Sequence, residues 1–179
     1  MLDLSDVTFV IPVRLDSPAR RENLPICVRH LRSVADTEII IGECGTTDAA
    51  GLAAYYDTGY CIAPAPWYRT RLINTMVKLA ETKYVAVLDL DIILLEPEMI
   101  GAKLELDLGQ HIVYPYSRWA NITRKKDFDR DLPITKQRGY GGVFFADRKA
   151  YLHVGGRISI SWIGAVRTWN AYTVSGPWV

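Results

Sequence analysis

The chain has 179 residues, 49% of them apolar and 23% charged, with a formal net charge of +1. That length supports one domain with a substantial core. The near-neutral charge gives no electrostatic case for a nucleic-acid partner or an anionic membrane surface, and no apolar run reaches the ~20 residues of a membrane span.

The N-terminus, Met1-Leu-Asp-Leu-Ser-Asp, lacks the basic start and apolar core of a signal peptide. Cys27, Cys44 and Cys61 are odd in number and lack metal-type spacing. These features predict a reduced, cytoplasmic protein with no transmembrane segment, and they leave peripheral membrane association open.

Val7 to Val13 reads as the first strand, with Pro12 near its end because proline cannot donate to a ladder. Asp16 or Ser17 can cap the next helix, with Pro18 in its first turn. Leu24, Val28, Leu31 and Val34 then recur at helical spacing. Glu38 to Gly42 reads as a second buried strand, followed by Glu43 at its carboxyl edge. Strand, helix and strand in this order predict a parallel pair. Glycines and prolines between 44 and 66 predict loops around a short helix at 49–56 and a short strand at Tyr60–Ala63. From Trp67 a helix is predicted, with Leu72, Met76 and Leu79 on one face and Arg69, Arg71 and Asn74 on others.

Tyr84 to Leu88 is an apolar run of the length of a strand buried on both faces, ending at Asp89-Leu-Asp91. In open α/β sheets ligands bind beyond the carboxyl ends of strands. Two carboxylates there are costly unless a cation or donors compensate them. A hard divalent metal with phosphate oxygens fits; two solvated aspartates are the plainer alternative.

Further on, Pro97 opens a helix to about Leu108, and His111 to Pro115 reads as a strand. Ser117 to Arg138 reads as a long polar connection. Gly139-Tyr-Gly-Gly leads into a buried strand, and Asp147 caps a short helix closed by Gly155-Gly156.

Four blocks in this order resemble the metal-dependent GT-A glycosyltransferases, specifically the β-1,4-galactosyltransferase-like group and its bacterial relatives: Ile11-Pro-Val-Arg14, Trp67-Tyr-Arg-Thr-Arg-Leu-Ile-Asn74, Leu88-Asp-Leu-Asp-Ile-Ile93 and Tyr140-Gly-Gly-Val143. The resemblance implies a Rossmann-like α/β fold over residues 1–156, with a mostly parallel central sheet flanked by helices. It implies inverting transfer of a sugar, galactose in that group, from UDP to a saccharide hydroxyl, with Mn²⁺ or Mg²⁺ as cofactor. Polysaccharide biosynthesis is the implied setting. On the matching positions, Pro12, Arg14, Glu43, Arg69, Asn74, Asp89, Gly141 and Gly142 would touch the donor. Asp91, with Asp89 beside it, would hold the metal.

The tail departs from that pattern. The group's Trp-Gly-Gly-Glu-Asp-like block, which supplies the catalytic carboxylate, is missing, and no Asp or Glu follows Asp147. Reading the third base of each codon with the first two of the next, Trp162-Ile163 must give Asp and Trp169-Asn170 must give Glu. The codons between permit Trp-Gly-Gly-Glu-Asp-Leu. Residues 157–179 are therefore expected to be a frameshifted tail, with Trp162, Trp169 and Trp178 exposed or loosely packed. The coding DNA decides it: stop codons in the shifted frame, or no such block, would exclude the shift. Two alternatives remain at this stage. One is a nucleotide-sugar-binding remnant without catalysis; the other is a haloacid-dehalogenase-like phosphatase using Asp89 and Asp91.

Overall fold

A computed structural model describes residues 1–122, 141–156 and 169–174, with 117–119, 121 and 169–174 as backbone only. The elements run in the order β1 (Leu2–Val13), α1 (Pro18–Val34), β2 (Ala35–Cys44), α2 (Ala50–Tyr55), β3 (Gly59–Ala63), α3 (Arg69–Leu79), β4 (Tyr84–Leu88), β5 (Ile92–Ile93), α4 (Glu96–Asp107), β6 (Ile112–Val113), β7 (Tyr116–Ile122), β8 (Val143–Asp147), α5 (Arg148–His153) and β9 (Trp169–Val174).

Among these residues one sheet has six strands in the order β3-β2-β1-β4-β8-β6. Strands β3, β2, β1 and β4 are parallel, and β8 runs antiparallel to both β4 and β6. A smaller sheet holds β5, β9 and β7.

The alternation of side chains along β1 and β4 divides the core between the sheet's two faces. Phe9 and Ile11 from β1, with Tyr84, Ala86 and Leu88 from β4, pack with Leu24, Val28 and Leu31 of α1 and Met99 of α4. Val10, Val85 and Val87 face the other way, onto Leu72, Ile73, Met76 and Val77 of α3 and Tyr151 of α5. Helices on both faces force the middle strands to be apolar throughout, and β4 is buried at all five positions.

Several boundaries differ from the sequence-based expectation for local reasons. β1 begins five residues early, at Leu2, because Leu4 is also buried and a register shift between Asp3 and Thr8 absorbs the polar residues between. On α3, Ile73 and Val77 join Leu72 and Met76 in the core, and Leu79 turns outward and is exposed. Ser17, not Asp16, caps α1, its side chain accepting from the Arg20 N–H.

Residues 117–122 belong to a strand rather than to a polar connection. Tyr116, Ala120 and Ile122 are buried, and β7 pairs in parallel with β9. The remaining connection, 123–140 with Tyr140, lies outside the described residues, as do 157–168 and 175–179 with Trp162 and Trp178. Within the tail, the backbone of 169–174 forms β9, beside both β5 and β7. The packing expected for the Trp169 side chain falls outside the described set. Among the described residues no helix is long and apolar enough to cross a membrane, and Cys27, Cys44 and Cys61 are free thiols.

Candidate functional site

The carboxyl ends of the parallel strands converge on a basin of about 270 Å³. β1 and the loop after it bring Pro12 and Arg14, α1 brings Arg20, the start of α3 brings Trp67 and Arg69, and the turn after β4 brings Asp89, Leu90 and Asp91. Five of the residues predicted from sequence, Pro12, Arg14, Arg69, Asp89 and Asp91, thus share one cavity.

The Asp89–Asp91 turn is held from two sides. The Ile92 N–H donates to the Asp89 carbonyl at 3.1 Å, and the Asp89 N–H donates to the Gly142 carbonyl at 2.7 Å. Gly142 has a φ of +83°, and a Cβ there would lie 2.1 Å from Ile92 Cδ1 and 3.5 Å from Asp89 Oδ2. Gly142 therefore supports the turn from beneath. Gly141 is different: it is exposed, and a Cβ there would meet nothing within 4 Å.

Asp89 pairs with the Arg69 guanidinium. No side-chain donor reaches the Asp91 carboxylate among the described contacts. Its pKa is raised, first by desolvation and second by the neighbouring Asp89 charge. A carboxyl that is costly to charge, with only its own backbone N–H as hydrogen-bond donor among the described residues, suits a hard cation. The aspartates also act below the basin, where Cys27 of α1 has its thiol aimed at the Ile92 carbonyl. Burial first, then Asp91 and Asp89, pushes that thiol up to about 12.

Sequence reasoning did not single out Arg20 as a site residue. Asp16 receives Arg14 Nε at 2.9 Å on one oxygen and Arg20 Nη1 at 2.6 Å on the other. One carboxylate thus brackets two guanidiniums at the rim of the basin, and the Arg20 contact is the larger cause that lowers the Asp16 pKa. The i, i+4 spacing of Asp16 and Arg20 across the start of α1 was the available signal.

Arg14 and Trp67 also line an adjoining recess of about 220 Å³. Its remaining wall comes from the loop after β1 (Leu15, Asp16), from Arg21, and from the end of β2 and its loop (Cys44, Thr46, Asp48). Arg21 and Asp48 close its edge with a 2.9 Å ion pair.

Glu43 does not reach either cavity. It is fully buried. Oε1 accepts from Thr46 Oγ1 at 3.0 Å, and Oε2 accepts from the Ala49 N–H and from Tyr60 Oη, each at 2.7 Å. The Tyr60 pKa is raised by burial first and by Glu43 next, which keeps the phenol a donor. In this arrangement Glu43 organises the 43–49 loop that walls the recess. Glu43→Ala would orphan three donors, at a cost of about 3 kcal/mol. For a chain of this size that corresponds to a melting temperature roughly 6–12 °C lower, measurable by thermal denaturation; an unchanged value would refute the role.

Asn74 also faces elsewhere. Tyr151 Oη donates to its Oδ1 at 2.7 Å, and a Cβ on Gly156 would meet the same amide at 2.6 Å. Asn74 ties α3 to α5 and does not line the basin.

No protein-family model matches the chain, and no curated protein matches its sequence. Solved structures do match. Glucosyl-3-phosphoglycerate synthase from Mycobacterium tuberculosis, in complex with Mn²⁺, UDP and glucosyl-3-phosphoglycerate, superposes with a TM-score of 0.59 at 12% identity, covering 93% of this chain and 70% of that one. A mannosyltransferase from Pyrobaculum calidifontis, in complex with GDP-mannose and Mn²⁺, gives 0.57 at 14% identity, covering 95% and 56%. A mycobacterial protein gives 0.56 at 14% identity, covering 95% and 65%.

The chain has the GT-A fold. At these identities the likeness is one of fold. The chain spans 65% of the mycobacterial protein and 56% of the mannosyltransferase.

Within the GT-A fold, the basin and recess occupy the carboxyl edge of the parallel strands, where open α/β sheets bind their ligands. Among the described residues no group of three or more His, Cys, Asp or Glu side chains could hold a metal. A cation at Asp91 and Asp89 would therefore complete its shell with oxygens from a ligand or water.

Proposed function

We propose that this chain forms the donor side of a metal-dependent glycosyltransferase that moves a sugar from UDP to a saccharide hydroxyl. The observation that carries the reading is the charge inventory at the basin. Among the described residues, Arg14, Arg20 and Arg69 stand in the wall against Asp89 and Asp91, and Asp16, just outside it and paired with two of the arginines, brings the formal sum to zero. One divalent cation and one sugar diphosphate, at about two negative charges, leave that sum at zero. The recess beyond Trp67 then takes the nucleoside.

A divalent ion there would supply Lewis-acid stabilisation of the leaving diphosphate. The arginines contribute fixed donors aimed at the same developing charge, in a fork geometry that matches phosphate oxygens. Asp91, with Asp89, would hold the ion, which we take to be Mn²⁺ or Mg²⁺. Gly142 keeps the aspartate turn in place, and the Glu43 network keeps the recess wall in place. Galactose as the transferred sugar and inversion at its anomeric carbon rest on the sequence resemblance alone.

Deprotonation of the acceptor needs a carboxylate. Asp89 and Asp91 are committed to the metal, and Glu43 is sealed, so no described residue at the basin is free for that work. A second reading, donor binding without turnover, follows from this and uses the same donor residues. The phosphatase reading is disfavoured, because the solved structures that share this fold are sugar-transferring enzymes in complex with UDP or GDP-mannose.

Calorimetry of UDP with and without Mn²⁺, paired with alkylation of Cys44, tests the placement. Mn²⁺-dependent binding should slow labelling of Cys44, in the recess wall, about ten-fold, while buried Cys27 stays unlabelled. No binding at millimolar UDP would sink the donor reading. Binding without protection would move the nucleoside out of the recess.

A further inference from the structure

We propose that Arg69 is an exchange partner: in the metal-free protein it holds Asp89, and metal entry transfers it to the donor diphosphate, so that cation and nucleotide reinforce each other's binding. This rests on the donor reading above and adds to it a coupling between its two ligands.

The basin's three guanidiniums are not held alike. Arg14 and Arg20 are bracketed by Asp16, a carboxylate outside the basin wall, with which a cation at Asp91 would not compete. Arg69 is held by Asp89, one of the two carboxylates on the cation's side. A dication on the Asp89 carboxylate draws off the charge that holds the guanidinium and repels it, so the two compete for that side chain. Asp89 has little freedom to serve both by swinging away. Its backbone N–H is fixed to the Gly142 carbonyl, and its Oδ2 is turned toward Gly142. So the cation's arrival displaces the guanidinium.

Arg69 then has a short path to a new partner. It is the first residue of α3, whose N-cap, Tyr68, makes no side-chain capping bond and whose first turn carries no acidic residue. Among the described residues, no carboxylate other than Asp89 and Asp91 lines the basin. The group to receive the freed guanidinium is an anion bound there, which the diphosphate supplies. Without a cation, the same anion meets an arginine already engaged. Linkage requires that the effect run equally in both directions.

The test is Mn²⁺ titration of the full chain without nucleotide, by the electron-paramagnetic signal of free Mn²⁺, on wild type, Arg69→Gln and Arg20→Gln. UDP titration in saturating Mn²⁺ follows on the same three proteins. Arg69→Gln should bind Mn²⁺ alone about five-fold more tightly than wild type, because Asp89 is released. It should bind UDP about ten-fold more weakly. Arg20→Gln removes the same charge from the basin without releasing Asp89, so its Mn²⁺ affinity should stay within about two-fold of wild type.

Equal Mn²⁺ affinity in wild type and Arg69→Gln would overturn the exchange and leave the donor reading standing. The same gain in both variants would reduce the effect to net charge and also overturn it. No Mn²⁺ binding by any of the three, in folded protein, would overturn the exchange together with the metal reading beneath it.

Discussion

Gly142→Ala should lower the melting temperature by roughly 6–12 °C and abolish Mn²⁺-dependent nucleotide binding, whereas Gly141→Ala should do neither. The added methyl at 142 faces two separate costs. A φ of +83° strains any L side chain, which costs ~1–2 kcal/mol. The Cβ would also lie 2.1 Å from Ile92 Cδ1. Ile92 is itself buried, so its Cδ1 has little room to move aside. Together these come to about 3 kcal/mol, at ~2–4 °C per kcal/mol for a chain of this size. The functional loss follows from position, since Asp89 hangs on the Gly142 carbonyl and Ile92 follows Asp91 directly. Thermal denaturation and calorimetry on both variants decide it. Equal behaviour at 141 and 142 would show that the aspartate turn does not depend on this support.

That contrast marks where the sequence stops being informative. The strand–Asp-x-Asp unit was legible because a five-residue apolar run ending in two carboxylates admits few other readings, and Tyr84–Leu88 was placed to the residue. The parallel sheet and its flanking helices were legible from periodicity for the same reason. By contrast, Gly141 and Gly142 look alike as letters. Only the φ angle and the approach of Ile92 separate them.

Glu43 shows a second kind of limit. A carboxylate at a strand's end suits a ligand contact, but its three donors come from positions 46, 49 and 60, and that closure is tertiary. Asn74 is the third case. Its block matches a ligand-binding pattern, yet on α3 it falls on the side facing Tyr151. β7 was hidden because its partner β9 follows some 50 residues later, so no local pattern announced the pairing.

Asp91→Asn should make the unliganded protein slightly more stable and the ligand-bound protein much less so. Desolvation and the Asp89 charge raise the Asp91 pKa above the ordinary aspartate value of 3.8. The folded state therefore holds that proton more tightly than the unfolded chain does. Below pH 3.8 both states are protonated and nothing is lost. As pH rises past that value the unfolded chain ionises first, and stability falls until the folded group has also ionised. At neutral pH the wild-type carboxylate is thus a net cost, and asparagine removes it. Asp91 is exposed at its surface, so solvent screens the effect and the gain should be on the order of 1 °C. It should shrink as pH is lowered toward the ordinary aspartate value.

Ligand reverses the order. Partners one shell out from a metal are already worth 10–100-fold, so loss of a direct carboxylate should weaken Mn²⁺ by about 100-fold or more. Wild type at a hundred times its Kd for Mn²⁺ gains about 2.7 kcal/mol, or roughly 5–11 °C, and the variant gains almost nothing. Melting curves at pH 7, with and without Mn²⁺ and UDP, should therefore cross: variant above wild type when bare, wild type above variant when loaded. A variant destabilised in both conditions would make Asp91 an ordinary structural carboxylate. A variant that shifts with Mn²⁺ as wild type does would place the metal elsewhere. The crossing is the pattern expected of a group whose desolvation is tolerated in the bare fold because a cation compensates it in the working state.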